Sequence, residues 1–182
     1  FDEVSVMDRF GGWATCQQLT EALRAEKPDA IQIAEYWPVN PWVVKDIAQG
    51  GAGFDATWSD GLRLALRGAI ASAAGGAGAL VPMQPIAAAI ADLSLDKRWR
   101  AVNSIENHDI VYAGREPRIP RLADPVNSRC WYARSRSRVA TGLLLTAPGI
   151  PMLFMGQELF EDRPWSDTPS LDTTIQWPLL DG

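Results

Sequence analysis

The chain has one histidine, His108, and only two cysteines, Cys16 and Cys130, among its 182 residues. The cysteines form no Cys-x-x-Cys pair and have no companion histidines, which excludes the usual zinc-site spacings. Two isolated thiols fit a reducing compartment, so the expected location is cytoplasmic. No charged-then-apolar leader opens the chain. The apolar stretch from Val139 to Met155 is broken by Thr141, Gly142, Thr146, Pro148, Gly149 and Pro151, and makes a poor membrane span. A net charge of -5 argues against a general nucleic-acid or anionic-membrane binder, and neither is expected as a partner. No cofactor or metal is expected: no oxygen-ligand loop suited to calcium stands out, and the Gly50 to Gly53 run lacks the Gly-Lys-Ser/Thr ending of a phosphate loop. There is no internal repeat and no composition shift to mark a second domain.

What remains is an ordinary globular balance, 47% hydrophobic and 21% charged, long enough to bury a substantial core. Arg115, Arg118, Arg121, Arg129, Arg134, Arg136 and Arg138 form a local basic stretch, read mainly as a solvated helix face and its approach loop. Glu116 and Asp124 are placed to neutralise part of it. Phe1 is not an initiator methionine, and Asp2 arrives without the strand that should precede it, so the chain reads as a piece of a longer protein.

Short apolar runs alternate with helix-compatible segments, the pattern of parallel strands joined by crossover helices. A helix over Thr15 to Glu26, with Leu19, Ala22 and Leu23 at helical spacing, stops at Lys27-Pro28-Asp29 before a strand over Ala30 to Ala34. Trp37-Pro38-Val39-Asn40-Pro41-Trp42 must be a loop. The glycines at 50–53 introduce a short strand, Phe54 to Trp58, and a helix from about Asp60 to Ala74 follows with Leu62, Leu66 and Ile70 as core positions. A second helix is expected between Pro85 and Asp96, then a strand carrying Asn103 to Asp109. Arg115 to Val126 reads as an irregular loop, Asn127 to Leu145 as a helix, and Met152 to Met155 as a last strand.

Three acids stand where apolar runs end: Asp2, Glu35 after Ile31-Gln32-Ile33-Ala34, and Asp109 after His108. Parallel strands wrapped by helices present their carboxyl ends on one face, where widely separated acids can converge. Cleaving a glycosidic bond with retention needs a carboxylate nucleophile and a carboxylic acid about 5–5.5 Å apart. Tyr36, Trp37, Trp42 and Trp58 offer apolar ring faces on which sugars stack. Each group also has a plain structural reading. A terminal Asp is ordinarily solvated, a strand-end Glu caps or pairs with a base, a buried His satisfied by Asp looks the same, and single tryptophans usually pack. Only the combination carries weight.

That combination resembles the α-amylase superfamily of (β/α)8-barrel glycoside hydrolases and transglycosylases, whose motifs occur in the same order. Phe1-Asp2-Glu3-Val4 looks like the tail of the nucleophile motif, Ile33-Ala34-Glu35 like that of the general acid/base, and Asn107-His108-Asp109 like the motif in which His contacts sugar and Asp stabilises the transition state. Phe154-Met155-Gly156-Gln157-Glu158 resembles the end of the eighth strand. Two runs resemble α-1,4-glucan branching enzymes more specifically: Gly51 to Trp58, of the form Gly-x-Gly-Phe-Asp-x-x-Trp, and His108 to Gly114, of the form His-Asp-x-Val-x-x-Gly.

The resemblance implies an α/β fold that is the C-terminal half of a TIM barrel, from the end of strand 4 through strand 8, with residues 1–182 forming one partial catalytic domain. It implies Asp2, Glu35 and Asp109 as catalytic acids and His108, Tyr36, Trp37 and Trp58 as substrate-binding residues, acting on an α-1,4-glucan or maltooligosaccharide. Two departures keep other outcomes open. Tyr36-Trp37-Pro38 replaces the small or acidic residues that usually follow the acid/base, and Ile110 replaces the common Glu. Hydrolysis of α-amylase or maltooligosyltrehalose trehalohydrolase type therefore stands beside branching, as does a non-catalytic carbohydrate-binding barrel. An open doubly wound sheet unrelated to sugars would not gather the acids. The expected activity of residues 1–182 alone is nil.

Overall fold

A computed structural model describes residues 1–178. Along the chain run helices α1 (Val4–Arg9) and α2 (Trp13–Glu26), strands β1 (Ile33–Ala34) and β2 (Ala56–Ser59), helices α3 (Gly61–Ala73) and α4 (Gln84–Ala91), strand β3 (Ala101–Asn103), helices α5 (Ile119–Ala123) and α6 (Trp131–Thr146), and strand β4 (Ile150–Pro151). The sheet order is β1-β2-β3-β4, and the β1-β2 and β2-β3 pairs are parallel, with Ile33 opposite Ala56 and Thr57 opposite Ala101. The expected parallel α/β pattern is what the chain adopts. By its contacts it divides into two compact units: Phe1–Asp60 with Ala91–Asn103 and Pro148–Ile150, and Gly61–Ile90 with Ser104–Ala147 and the chain from Pro151 onward.

The first unit is built on the sheet. Val4, Cys16, Ala34, Val43, Val44, Ala52 and Phe54 are all buried in its core. Asp55 anchors the start of β2: its carboxylate accepts the Gln32 amide at 2.8 Å and pairs with Arg24 of α2 at 2.9 Å. Gly51 and the residues after it fold back on residues 42–45, where the Ala52 amide donates to Trp42 and the Gly53 amide to Lys45. A side chain at Gly51 would collide with the Lys45 main chain, so this position tolerates only hydrogen.

The second unit is helical. Leu62, Leu66 and Ile70 of α3, the expected core positions, are 3%, 1% and 6% exposed and pack with Ile86, Ile105, Ile119, Ala133, Ala140 and Leu144. Burying a side chain such as Leu66 contributes about 1.5–3 kcal/mol.

Several elements differ from the sequence reading, each for a physical reason. α2 buries Cys16 and Thr20, four residues apart, while Leu19 is exposed. Thr20 faces inward because its hydroxyl donates to the Ala52 carbonyl at 2.6 Å and its own carbonyl accepts from the Gln32 side chain. The first strand shortens to Ile33–Ala34, with Ile31 exposed. The strand toward Asp109 ends at Asn103, because the residues after it turn to local partners; the Asn107 side chain accepts the Ile110 amide at 3.0 Å. The last strand is Ile150–Pro151, not Met152 to Met155. Gly149, at φ +122°, lies against Asn103 and Ala101 where no Cβ would fit, and the Asn103 side chain holds the Pro148 carbonyl at 3.0 Å. The Arg115 to Val126 loop contains α5, whose first turn accepts Pro120 because the leading amides of a helix need no partner. Arg118, expected on a solvated face, is 2% exposed.

Candidate active site

Asp2 and Glu35 lie in the first unit. The Phe1 amino group donates to the Ile33 carbonyl at 2.8 Å, and the Glu35 amide donates to the Phe1 carbonyl at 2.9 Å. These bonds flank Ala34, so Phe1 runs parallel to β1 opposite Ala34 and Asp2 falls opposite Glu35. The Val4 amide then donates to the Glu35 carbonyl at 2.9 Å, where one residue more than a regular ladder needs has been taken up. The Phe1 ring meets Phe54 edge-on at 5.0 Å. By the alternation of a pleated segment, Asp2 and Glu35 project to the opposite side from Phe1. Asp2 is exposed and Glu35 is 7% exposed.

The aromatic residues after Glu35 divide into two kinds. Tyr36 is 9% exposed, packs in the core of the first unit, and donates its hydroxyl to Asp8 of α1. Its phenol is pushed above the ordinary value by burial first, then by the Asp8 carboxylate. Trp37 is half-buried and meets Trp58 at 6.1 Å between ring centroids, inclined by 70°. Residues Ser5, Asp8, Tyr36, Trp37 and Asn40 line a cavity of about 540 Å³ in this unit. Trp42 is exposed at 54%.

His108 and Asp109 lie in the second unit, on a loop fixed at both ends. At its base, Arg67 of α3 donates to the Ile105 carbonyl at 3.2 Å, the Pro117 carbonyl at 2.6 Å and the Glu116 carboxylate at 2.7 Å. One residue further along the chain from Ile105 and from Pro117, Glu106 and Arg118 form an ion pair at 2.7 Å with side chains 1% and 2% exposed. Glu106 also accepts the Ile119 amide. Burial pushes its carboxyl upward, against the opposing pull of Arg118 and that amide. Glu116 therefore neutralises Arg67 and, at 3.9 Å, Arg63, rather than the basic stretch.

Between these anchors, His108 Nε2 stands 3.7 Å from Asp109 Oδ1, with both side chains close to half exposed. The Asp109 carbonyl accepts from Arg115 at 3.1 Å. Trp165 meets the His108 ring at 5.9 Å, edge-on. Its main chain is bonded on both sides, Trp165 amide to Val111 carbonyl at 2.8 Å and Ala113 amide to Trp165 carbonyl at 2.7 Å. Sequence reading did not single out Trp165, Arg67 or Glu106, and it placed Arg118 on a solvated face. Trp165 sits in a periodicity-free loop, and the Arg–Glu partners are 12 or more residues apart, so no local signal marks them.

A third acidic cluster braces the end of this unit. Glu161 accepts the amides of Asp162, Arg163 and Gln176, and the Gln176 side chain at 2.8 Å. Asp162 accepts from the Ser128 hydroxyl and pairs with Arg121 at 3.2 Å and Arg129 at 3.5 Å. Burial alone raises both carboxyls, but these donors reverse it and hold both below ordinary carboxylate values.

No protein-family model matches the chain. It is 24% identical over 202 residues to the 1,4-alpha-glucan branching enzyme of Oceanobacillus iheyensis, covering 100% of this chain and 28% of that protein. It is 28% identical over 174 residues to a 1,4-alpha-glucan branching enzyme of Xanthomonas euvesicatoria, covering 92% and 21%. Among solved structures it resembles the α-amylase of Geobacillus thermoleovorans complexed with acarbose, at 21% identity and TM-score 0.67, covering 93% of this chain and 35% of that one. It also resembles a pullulanase from Anoxybacillus complexed with maltotriose, at 20% identity and TM-score 0.66, covering 93% and 26%. The chain thus spans about a quarter of the curated relatives' length; it is similar to branching enzymes in sequence and to part of the α-amylase fold in structure. No helix of the described residues is long and apolar enough to cross a membrane.

Proposed function

We propose that the protein carrying this chain is a retaining α-glucan enzyme, with 1,4-α-glucan branching as its reaction, and that the chain corresponds to the barrel from the end of strand 4 through strand 8. The observation that supports this best is the register of Asp2 with Glu35. Neighbouring strands run about 4.8 Å apart, close to the roughly 5–5.5 Å separation of a nucleophile and an acid in retaining glycosidases. The Asp2 carboxylate attacks the anomeric carbon, and the glycosidic C–O bond breaks as Glu35 gives its proton to the departing oxygen. Glu35, now a carboxylate, takes a proton from the incoming hydroxyl while that oxygen displaces Asp2. By the motif each carries, Asp109 stabilises the oxocarbenium-like charge and His108 grips the sugar, while Trp37 and Trp58 supply aromatic faces for sugar rings.

When the incoming hydroxyl is the 6-hydroxyl of a glucan, the product is a branch; when it is water, the product is a new reducing end. Tyr36-Trp37-Pro38 after the acid/base favours keeping hydrolysis as the second reading. Linkage analysis of amylose treated with the full polypeptide separates them: new α-1,6 linkages support branching, and reducing ends alone overturn it. Unchanged turnover in Glu35→Gln would overturn the catalytic reading and leave a carbohydrate-binding barrel.

A further inference from the structure

We infer that Asp8 and Tyr36 form a positioning pair that fixes Glu35 relative to Asp2, an inference that rests on the acid/base reading of Glu35 above. Both members are one short step from a reacting acid. Tyr36 follows Glu35 directly, and Asp8 lies on α1, which begins at Val4, two residues after Asp2. The main chain already ties the two segments at three points: Phe1 to Ile33, Glu35 to Phe1 and Val4 to Glu35. Each of these is a main-chain nitrogen-to-carbonyl bond that sets the height of the two segments but leaves the turn after Glu35 unspecified. The Tyr36 hydroxyl to Asp8 bond closes that turn against α1.

The local conformation needs such a brace. β1 ends at Ala34, so Glu35 lies beyond its pairing with β2. The next regular element is the turn Pro41–Val44, and the intervening segment contains Pro38, whose nitrogen donates no hydrogen bond. The Tyr36 hydroxyl ties this segment to α1, and the Tyr36 side chain that carries it is 9% exposed. With its ring in the core and its hydroxyl engaged, Tyr36 acts through Glu35 and not as a sugar platform; that role falls to Trp37, which lines the adjoining cavity.

The test compares donors that do and do not require protonation of the leaving group. A natural maltooligosaccharide leaves as an alkoxide and depends on Glu35, whereas a maltosyl fluoride leaves with little help from an acid. In the full polypeptide, Tyr36→Phe and Asp8→Ala are each expected to lower kcat on maltooligosaccharide about tenfold with KM within about twofold, since a small displacement of a reacting group costs rate rather than binding. The fluoride donor is expected to be affected less than about twofold in formation of the glycosyl-enzyme, read as the fluoride burst. The double variant is expected to be no worse than either single one. Equal losses on both donors, additive losses, or no loss would overturn the inference. Glu35→Gln assayed alongside tests the underlying reading separately: if it keeps turnover on the natural donor, that reading fails whatever the Tyr36 variants do. Asp8→Asn, which keeps an acceptor for the hydroxyl, serves as the conservative variant and is expected to recover most of the activity that Asp8→Ala loses.

Discussion

The amide of Glu35 donates to the carbonyl of Phe1 at 2.9 Å, and this bond sets Asp2 opposite Glu35 in neighbouring parallel segments. Residues 33 positions apart in sequence are set opposite one another by main-chain bonds, without any direct instruction from their own side chains. Glu35, 7% exposed, sits inward of the exposed Asp2.

Replacing Glu35 by Gln in the full polypeptide is expected to lower turnover of amylose by about 10²–10⁴-fold, the usual worth of a general acid/base. Asp2→Asn and Asp109→Asn are expected to lose activity at least as severely. Initial rates on amylose with matched thermal melts check that the loss is chemical.

The Glu106–Arg118 pair predicts a stability effect distinct from catalysis. Arg118→Met leaves a buried carboxylate without its partner and is expected to destabilise the fold by about 3–5 kcal/mol. Glu106→Leu combined with Arg118→Met removes both charges and is expected to recover a large part of that loss. Urea unfolding of the two variants decides it: a double variant as unstable as the single one would contradict the account.

At Gly51 the prediction rests on sterics alone. Gly51→Ala brings a Cβ onto the Lys45 main chain, which cannot move without breaking the Gly53-to-Lys45 and Ala52-to-Trp42 bonds. The expected cost is about 1–3 kcal/mol, as for other overpacked sites, read as a lowered unfolding midpoint in urea.

The Glu161 and Asp162 cluster makes stability fall in acid. Both folded-state pKa values lie below their ordinary ones, so the folded state holds fewer protons than the unfolded chain. Their contribution is fully present above the unfolded values, near 4, and is lost as pH falls through the lower folded values. Between about pH 5 and 2 the unfolding free energy should decline, and Glu161→Gln should flatten part of that decline. A variant whose slope matches the parent's would contradict the assignment.

Much of the organisation was legible before any coordinates. The α3 face of Leu62, Leu66 and Ile70 followed from helical spacing, and all three are buried. The loops at the prolines of 38 and 41 and at the glycines of 50–53 followed from backbone chemistry. The candidate acids were legible as abrupt ends of apolar runs. Strand limits were less so: β1 keeps two of five expected residues and β4 shifts upstream to Ile150–Pro151. Apolar content says what a segment prefers to bury, while strand limits depend on which neighbour supplies hydrogen bonds.

The sequence by itself determined the alternation of helices and parallel strands, the order of the motifs and the identity of the acids, because periodicity and residue type are local properties. Tertiary structure alone decided which side chains turn inward and which partners they meet. Thr20 rather than Leu19 faces inward on α2 because a carbonyl awaits it. Arg118 leaves the solvated stretch to meet Glu106, and Tyr36 turns toward Asp8 of α1. Each choice depends on a partner at least 12 residues away, and a buried polar group settles wherever its hydrogen-bonding partner lies.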